Sequence, residues 1–342
     1  SSARPRLSRT YSPSTPTSLM SGCRVVVTGI GGELGSRVGA LLEEQTWVGE
    51  IVGIDANPPR RRLRRTVVHV VEPQQHELIA ERIVQANPHV IIHLGVWEPD
   101  ARLSSAEAQS FTEHFANAVL AAASRVSALE SVVLRSGIEV YGKHGHSPHA
   151  PNEHQPLEPQ SLFGNMLLGL EHKVSELAIS RGTAATLLRL APVVGPHVPS
   201  PLGRMLRLPA VPFNPLGSAR FSVIEDGDAA QAFVSAAQHQ PHGAINVVAD
   251  GSLSVMQAAS LGNRISIPTI GPGWWAAKSL AKLAGAPVPE HVVELLSHGR
   301  LANAEHLVDT LNFTPVHNTK EVITRLYEWP SVIRIQPSRQ VA

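Results

Sequence analysis

The residues Arg24-Val25-Val26-Val27-Thr28 run directly into Gly29-Ile30-Gly31-Gly32-Glu33-Leu34-Gly35. A β-branched strand feeding a glycine turn and a helix start presents free backbone N–H groups to a phosphate. Gly29 permits the tight turn. Gly32 removes a side chain where a pyrophosphate must approach the backbone, and Gly35 lets the helix pack close to the strand. Asp55 follows Gly35 by 20 residues, at the end of the apolar run Ile51-Val52-Gly53-Ile54. A carboxylate there accepts hydrogen bonds from the hydroxyls of an adenosine ribose, although Asp before Ala56-Asn57-Pro58-Pro59 is also a good turn former. Glu33 adds an anion to the field that should attract the phosphate. Arg60, Arg61, Arg62, Arg64 and Arg65 suit either the 2′-phosphate of NADP, an anionic partner or a solvated surface. Because Asp55 would repel that phosphate, NAD is expected ahead of NADP.

These residues need a scaffold that brings strand ends together. Apolar β-branched runs recur at 24–28, 51–54, 66–71, 89–94 and 131–135, separated by helical stretches at 36–45, 75–86 and 105–126. Further on, a helix over 161–180 leads to an apolar run at 185–190, and 244–248 reads as a last strand. Strands alternating with helices predict an α/β fold, a Rossmann-type doubly wound parallel sheet. Prolines 192, 196, 199, 201, 209, 212 and 215 mark a smaller, loop-rich C-terminal layer on the substrate side. The expected division is a disordered tail over 1–20, a dinucleotide-binding domain over 21–195 and 222–250, a substrate-side domain over 196–221 and 251–330, and a tail over 331–342.

Composition bounds the function classes. The chain has 342 residues, 43% of them hydrophobic, and a formal charge of +1, enough to bury a full core and too balanced to attract nucleic acid generally. No apolar run approaches the roughly 20 residues that span a bilayer. The one cysteine, Cys23, cannot form an intrachain disulfide, so a reducing, cytoplasmic setting is expected. Residues 1–20 are rich in Ser, Thr, Pro and Arg and carry no acid, as in a transit-like leader; alternatively translation begins at Met20.

With the phosphate loop, several segments carry a resemblance in order and spacing: His93-Leu94-Gly95, Val140-Tyr141-Gly142, Glu153, Arg189 before Gly195-Pro196, and Asn303 before Leu311-Asn312-Phe313-Thr314-Pro315. The chain resembles the extended short-chain dehydrogenase/reductases, the NAD-dependent epimerase/dehydratase group. The resemblance adds His93, Leu94 and Gly95 to the cofactor-binding candidates Thr28, Gly29, Ile30, Gly31, Gly32, Glu33, Leu34, Gly35 and Asp55. It also implies a Ser or Thr, a Tyr and a Lys one helical turn beyond it as catalytic groups. The matching positions read Gly137, Phe163 and Leu167. Phenyl carries no proton, and Leu stabilises no phenolate. Ser136 is expected on the opposite face of its strand, Lys173 lies too far along the helix, and Tyr141 remains as the one phenol expected near the crevice. Val70 or Val71 stands where the family has an adenine-contacting Asp, and Pro192 where nucleotide-sugar members have an Asn.

Two clusters stay outside this reading. His144, His146, His149 and His154 invite a metal, but their spacing favours solvated loop histidines, and no metal site is expected. The stretch from Gly271 to Leu283, with Trp274 and Trp275, suits either packing over the crevice or contact with a hydrophobic substrate or membrane surface. The expectation is therefore a dinucleotide-binding member of the family, catalytically atypical or inactive, acting as sensor, scaffold or partner subunit. The alternative is an epimerase, dehydratase or oxidoreductase with a rearranged site. The expected partners are the dinucleotide and an unnamed small molecule, with a homodimer as one candidate assembly.

Overall fold

A computed structural model of the chain describes residues 22–147, 149–195, 197–216, 219–271, 273, 274, 279 and 288–328. The expected tails, Trp275 and most of the stretch after it lie outside the described residues.

Seven strands form one sheet: β1 (Cys23–Thr28), β2 (Val48–Asp55), β3 (Thr66–Val70), β4 (Val90–His93), β5 (Ser131–Gly137), β6 (Ala184–Leu190) and β7 (Gly243–Val247). Their order is β7-β6-β5-β4-β1-β2-β3, and every pair is parallel. Parallel strands covered on both faces read as continuous apolar runs, and all four residues of β4 are buried. Edge strand β3 departs from this, with Val67 and Val70 exposed. Helices α1 (Glu33–Glu43), α2 (His76–Ala86), α3 (Ser105–Ala123) and α4 (Leu162–Arg181) link the first six strands. Helix α2 packs on α3 and α3 on α4, while α1 packs on α6 (Asp226–His239) after the short α5 (Pro201–Leu206). Local sequence sets the helix ends. Ser104 and Glu107 form a capping box on α3, Ser161 caps α4, and Gly182 ends α4 in the left-handed region at φ 67°.

A second apolar core joins Leu202, Val211, Phe221 and Val223 to α7 (Val255–Leu261), α8 (Glu290–His298) and α10 (Thr319–Glu328). Trp274 packs against this core. Helix α9 (Glu305–Leu311) behaves differently: Ala302, Leu307 and Leu311 belong to the core of the main sheet, although they fall in the stretch expected on the substrate side. Their apolar side chains have the Rossmann core within reach, and the chain crosses back to bury them before returning through α10 to the smaller core.

Candidate functional site

The sheet order reverses between β1 and β4, and the glycine loop leaves β1 at that switch point. Gly29 has φ 85°, and a Cβ there would stand 2.5 Å from Gly95 N. Side chains at Gly31 and Gly35 would collide with Asn57 O and Gly29 O. Gly32 differs, since its nearest protein atom from a Cβ would be Gly29 O at 3.7 Å. Among the described residues nothing forbids a side chain at Gly32.

Asp55, only 7% exposed, accepts from Gly31 N through Oδ2 and from Asn57 N through Oδ1, both at 2.9 Å. Burial pushes its carboxyl above the ordinary range, while those N–H groups pull the other way. Glu33 is held by Arg61, whose Nη2 lies 2.8 Å from Oε1, so its charge is neutralised locally rather than set against an anion. The rest of the arginine run is mostly spent on structure. The Arg64 and Arg65 backbones donate to Glu43, and the Arg65 guanidinium donates to Val48 O. Arg60 alone among the five lines the crevice.

That crevice holds about 580 Å³ and is lined by Gly29, Gly31, Gly32, Glu33, Leu34, Gly35, Asp55, Leu94 and Gly95. The other three residues expected with them, Thr28, Ile30 and His93, are buried beneath its floor. Thr28 Oγ1 lies 2.7 Å from His93 Nδ1, and burial drives the His93 imidazole down to about 4. Of the two residues that could stand at the position of the missing Asp, Val71 is buried and Val70 is exposed.

At the far end the crevice shares Glu98, Arg135 and Val193 with a hollow of about 20 Å³. Ser136, Gly137, Glu139, Phe163, Leu167, Leu190, Ala191 and Pro192 complete its walls. Leu167 Cδ1 lies 3.1 Å from where a Gly137 Cβ would stand, so the three residues expected at the catalytic positions do share one space. That Cβ would also strike Glu139 Oε2; the Glu139 carboxylate fills the place above Gly137. Glu139 Oε1 accepts from Arg300 Nη1 at 3.1 Å, and Arg300, fully buried, also lies 2.9 Å from Glu294. Glu98 accepts from His291 Nε2 at 3.1 Å, and the His291 ring packs on Phe163 with centroids 4.8 Å apart. Burial works to raise the Glu98 carboxyl, yet His291 and Arg135 hold it below its usual range. Sequence reasoning missed Glu98, Arg135, Glu139, His291 and Arg300. The available signal was Arg135, a charge inside the apolar strand Ser131-Val132-Val133-Leu134.

Tyr141 does not reach this space. It is fully buried, its hydroxyl donates to Asn246 Oδ1 at 2.7 Å and accepts from Arg189 Nη1 at 3.0 Å, and burial raises it above the ordinary phenol range. Arg189 in turn pairs with Glu171 at 2.7 Å, Glu171 accepts from Ser136 Oγ at 2.6 Å, and Glu153 accepts from Asn246 N at 2.8 Å. Three of the motif residues beyond the glycine loop, Tyr141, Glu153 and Arg189, thus join Ser136, Glu171 and Asn246 in one largely buried polar cluster that ties β5, β6, α4 and β7 together. Ser136, expected on the opposite face, is among the residues lining the hollow, with its hydroxyl engaged by Glu171, and Lys173 bonds Asn117 on α3. The loop histidines are not gathered. His144 faces Glu158, His146 stacks on His298 with centroids 4.9 Å apart, and only His149 and His154 are exposed.

A family model described as NAD dependent epimerase/dehydratase family matches residues 25–249. Uncharacterized proteins of Mycobacterium tuberculosis and Mycobacterium bovis are 29% identical over 314 residues, covering 87% of this chain and 81% of theirs. Among solved structures, a UDP-glucose 4-epimerase from Thermotoga maritima with UDP-glucose has TM-score 0.69 at 17% identity, covering 89% of this chain and 97% of that one. A UDP-glucose 4-epimerase from Brucella ovis in complex with NAD has TM-score 0.69 at 18% identity, covering 88% and 96%. The structural likeness extends the agreement in fold to 88–89% of the chain, and the family model spans the glycine loop, the switch point and the walls of the hollow as far as Val193. The chain belongs to the NAD-dependent epimerase/dehydratase family.

Proposed function

We propose that the protein holds NAD at the β1/β4 switch point and has lost the acid/base chemistry of its family, serving as a sensor, scaffold or partner subunit. Three features of the crevice fit the cofactor. Gly32 leaves open a stretch of backbone in the glycine loop that its described neighbours do not need open, a condition that pyrophosphate approach explains. Glu33, the one anion in the first turn of α1, is already paired with Arg61. The Asp55 carboxylate lines the crevice where ribose hydroxyls would donate to it, and its charge favours NAD over NADP. Glu33, Leu34, Leu94 and Gly95 would complete the walls. NAD when bound supplies a hydride acceptor at its nicotinamide ring.

The observation that carries the loss of chemistry is the composition of the hollow. Gly137, Phe163 and Leu167 meet there and present no hydroxyl, phenol or amine, and the hydroxyl of Ser136, which also lines it, is engaged by Glu171. A rearranged enzyme built on Tyr141 gains no support, because both hydrogen-bonding capacities of that phenol are engaged within the buried cluster. The test is to titrate NAD and NADP by calorimetry, then to incubate the loaded protein with a panel of nucleotide sugars while following absorbance of reduced nicotinamide. NAD binding without reduction is expected. Turnover that collapses in Tyr141→Phe would install the rearranged enzyme instead.

A further inference from the structure

We infer that the crevice reads the ADP-ribosyl portion of its ligand and not the nicotinamide ring, so that free ADP-ribose, NAD⁺ and NADH are ligands of equal standing. The inference rests on the NAD-holding reading above and asks how much of a dinucleotide the cavities at the switch point can enclose.

In an open parallel sheet the ligand lies beyond the carboxyl ends of the strands at the switch point. Asp55 stands on the β2 side of the crevice with the glycine loop beside it, so a ribose and a diphosphate placed on them send the rest of the ligand toward β4 and β5. At about 580 Å³ the crevice has the size of an ordinary ligand pocket. Beyond Glu98, Arg135 and Val193 the space narrows to the hollow of about 20 Å³, which has room for roughly one water. A pyridine ring with its carboxamide is far larger than that.

The hollow is held shut from behind. Phe163 and Leu167 are buried, and the Phe163 ring packs on His291, which donates to Glu98 at 3.1 Å. Glu98 also lies 3.7 Å from Arg135, whose Nη1 donates to Val96 O at 3.2 Å. The Glu139 carboxylate, which fills the place above Gly137, is held by the fully buried Arg300 at 3.1 Å, and Ser136 gives its hydroxyl to Glu171. The charges on the hollow are thus paired within the protein. Admitting a ring would part these pairs in a low-dielectric interior and displace packed side chains, both strongly unfavourable. The ADP-ribosyl end meets the open part of the site, and the nicotinamide stays outside the hollow, where neither its oxidation state nor its loss alters binding. The chain then responds to the sum of the three ligands rather than to their redox ratio, which suits a sensor or scaffold without turnover.

The experiment titrates the full chain with NAD⁺, NADH and ADP-ribose by calorimetry in one buffer. The three dissociation constants are expected to agree within about fivefold, and Gly32→Val should abolish all three. Phe163→Tyr, which adds a hydroxyl on the hollow, should leave them level. Binding of NAD⁺ or NADH more than about fivefold tighter than ADP-ribose overturns the inference and leaves the NAD-holding reading standing. A gain in Phe163→Tyr confined to the nicotinamide forms shows the ring reaching the hollow and overturns it too, as does ADP-ribose binding that survives Gly32→Val. No binding of any of the three overturns the NAD-holding reading, and this inference with it.

Discussion

Gly29, Gly31, Gly32 and Gly35 look alike in the sequence and do two different jobs. Gly29, Gly31 and Gly35 are required by the protein's own backbone, whereas no described atom crowds the space beside Gly32. Gly32→Val should therefore leave the melting temperature within a degree or two of wild type while abolishing calorimetric NAD binding. Gly35→Ala should lower both, because its Cβ meets Gly29 O. His93 supplies a pH signature of its own. Its folded value, about 4, lies below the ordinary 6.5, so as pH falls the unfolded chain takes up the proton first. The stabilisation from His93 is complete above about pH 6.5 and is lost between there and about pH 4, to a total on the order of 3 kcal/mol. Denaturant titrations at stepped pH check this, and His93→Gln should flatten the slope over that window.

At the scale of elements, the buried cluster of Tyr141, Ser136, Glu171, Arg189 and Asn246 fastens α4 and the turn after β5 to β6 and β7. Both partners of the Arg189–Glu171 pair are almost fully buried. Removing one charge leaves the other unpaired in a low-dielectric interior, which costs about 3–5 kcal/mol. Glu171→Gln should reduce unfolding free energy by that order in urea and leave the NAD affinity unchanged, since the pair does not line the crevice. The side chains of Tyr141, Glu171 and Arg189 in that cluster hold elements together rather than lining the crevice.

For the whole molecule, the two cores are linked by polar contacts that surround the hollow, with Arg300 bridging Glu139 on one side and Glu294 on the other. The apolar walls of the hollow belong to the main core, while His291, on helix α8 of the second core, reaches its Glu98. Helix α9 adds an apolar tie by packing Leu307 into the main core. Leu307→Ala should cost about 2–5 kcal/mol, as buried leucines do, read as a lowered denaturation midpoint. If NAD binds only the folded chain, it should raise stability by about 2.7 kcal/mol at a hundredfold excess over Kd, and thermal shifts against NAD concentration measure this directly.

The alternation of apolar strands and amphipathic helices determined the doubly wound sheet, since such strands must be covered on both faces and short loops leave few ways to do so. The glycine loop and Asp55 were legible for the same local reason, because turn, helix start and strand end lie within a few tens of residues of one another. What only the tertiary structure decided was the character of the far end. Glu98, Arg135, Glu139, His291 and Arg300 come from positions up to about two hundred residues apart, and their charges acquire meaning only when packing closes them around one apolar hollow. Tyr141 marks the limit most plainly. Its neighbours in sequence placed it near the end of a strand, but whether its hydroxyl faced the crevice or Asn246 depended on α4, β6 and β7 arriving behind it and enclosing the phenol in hydrogen bonds.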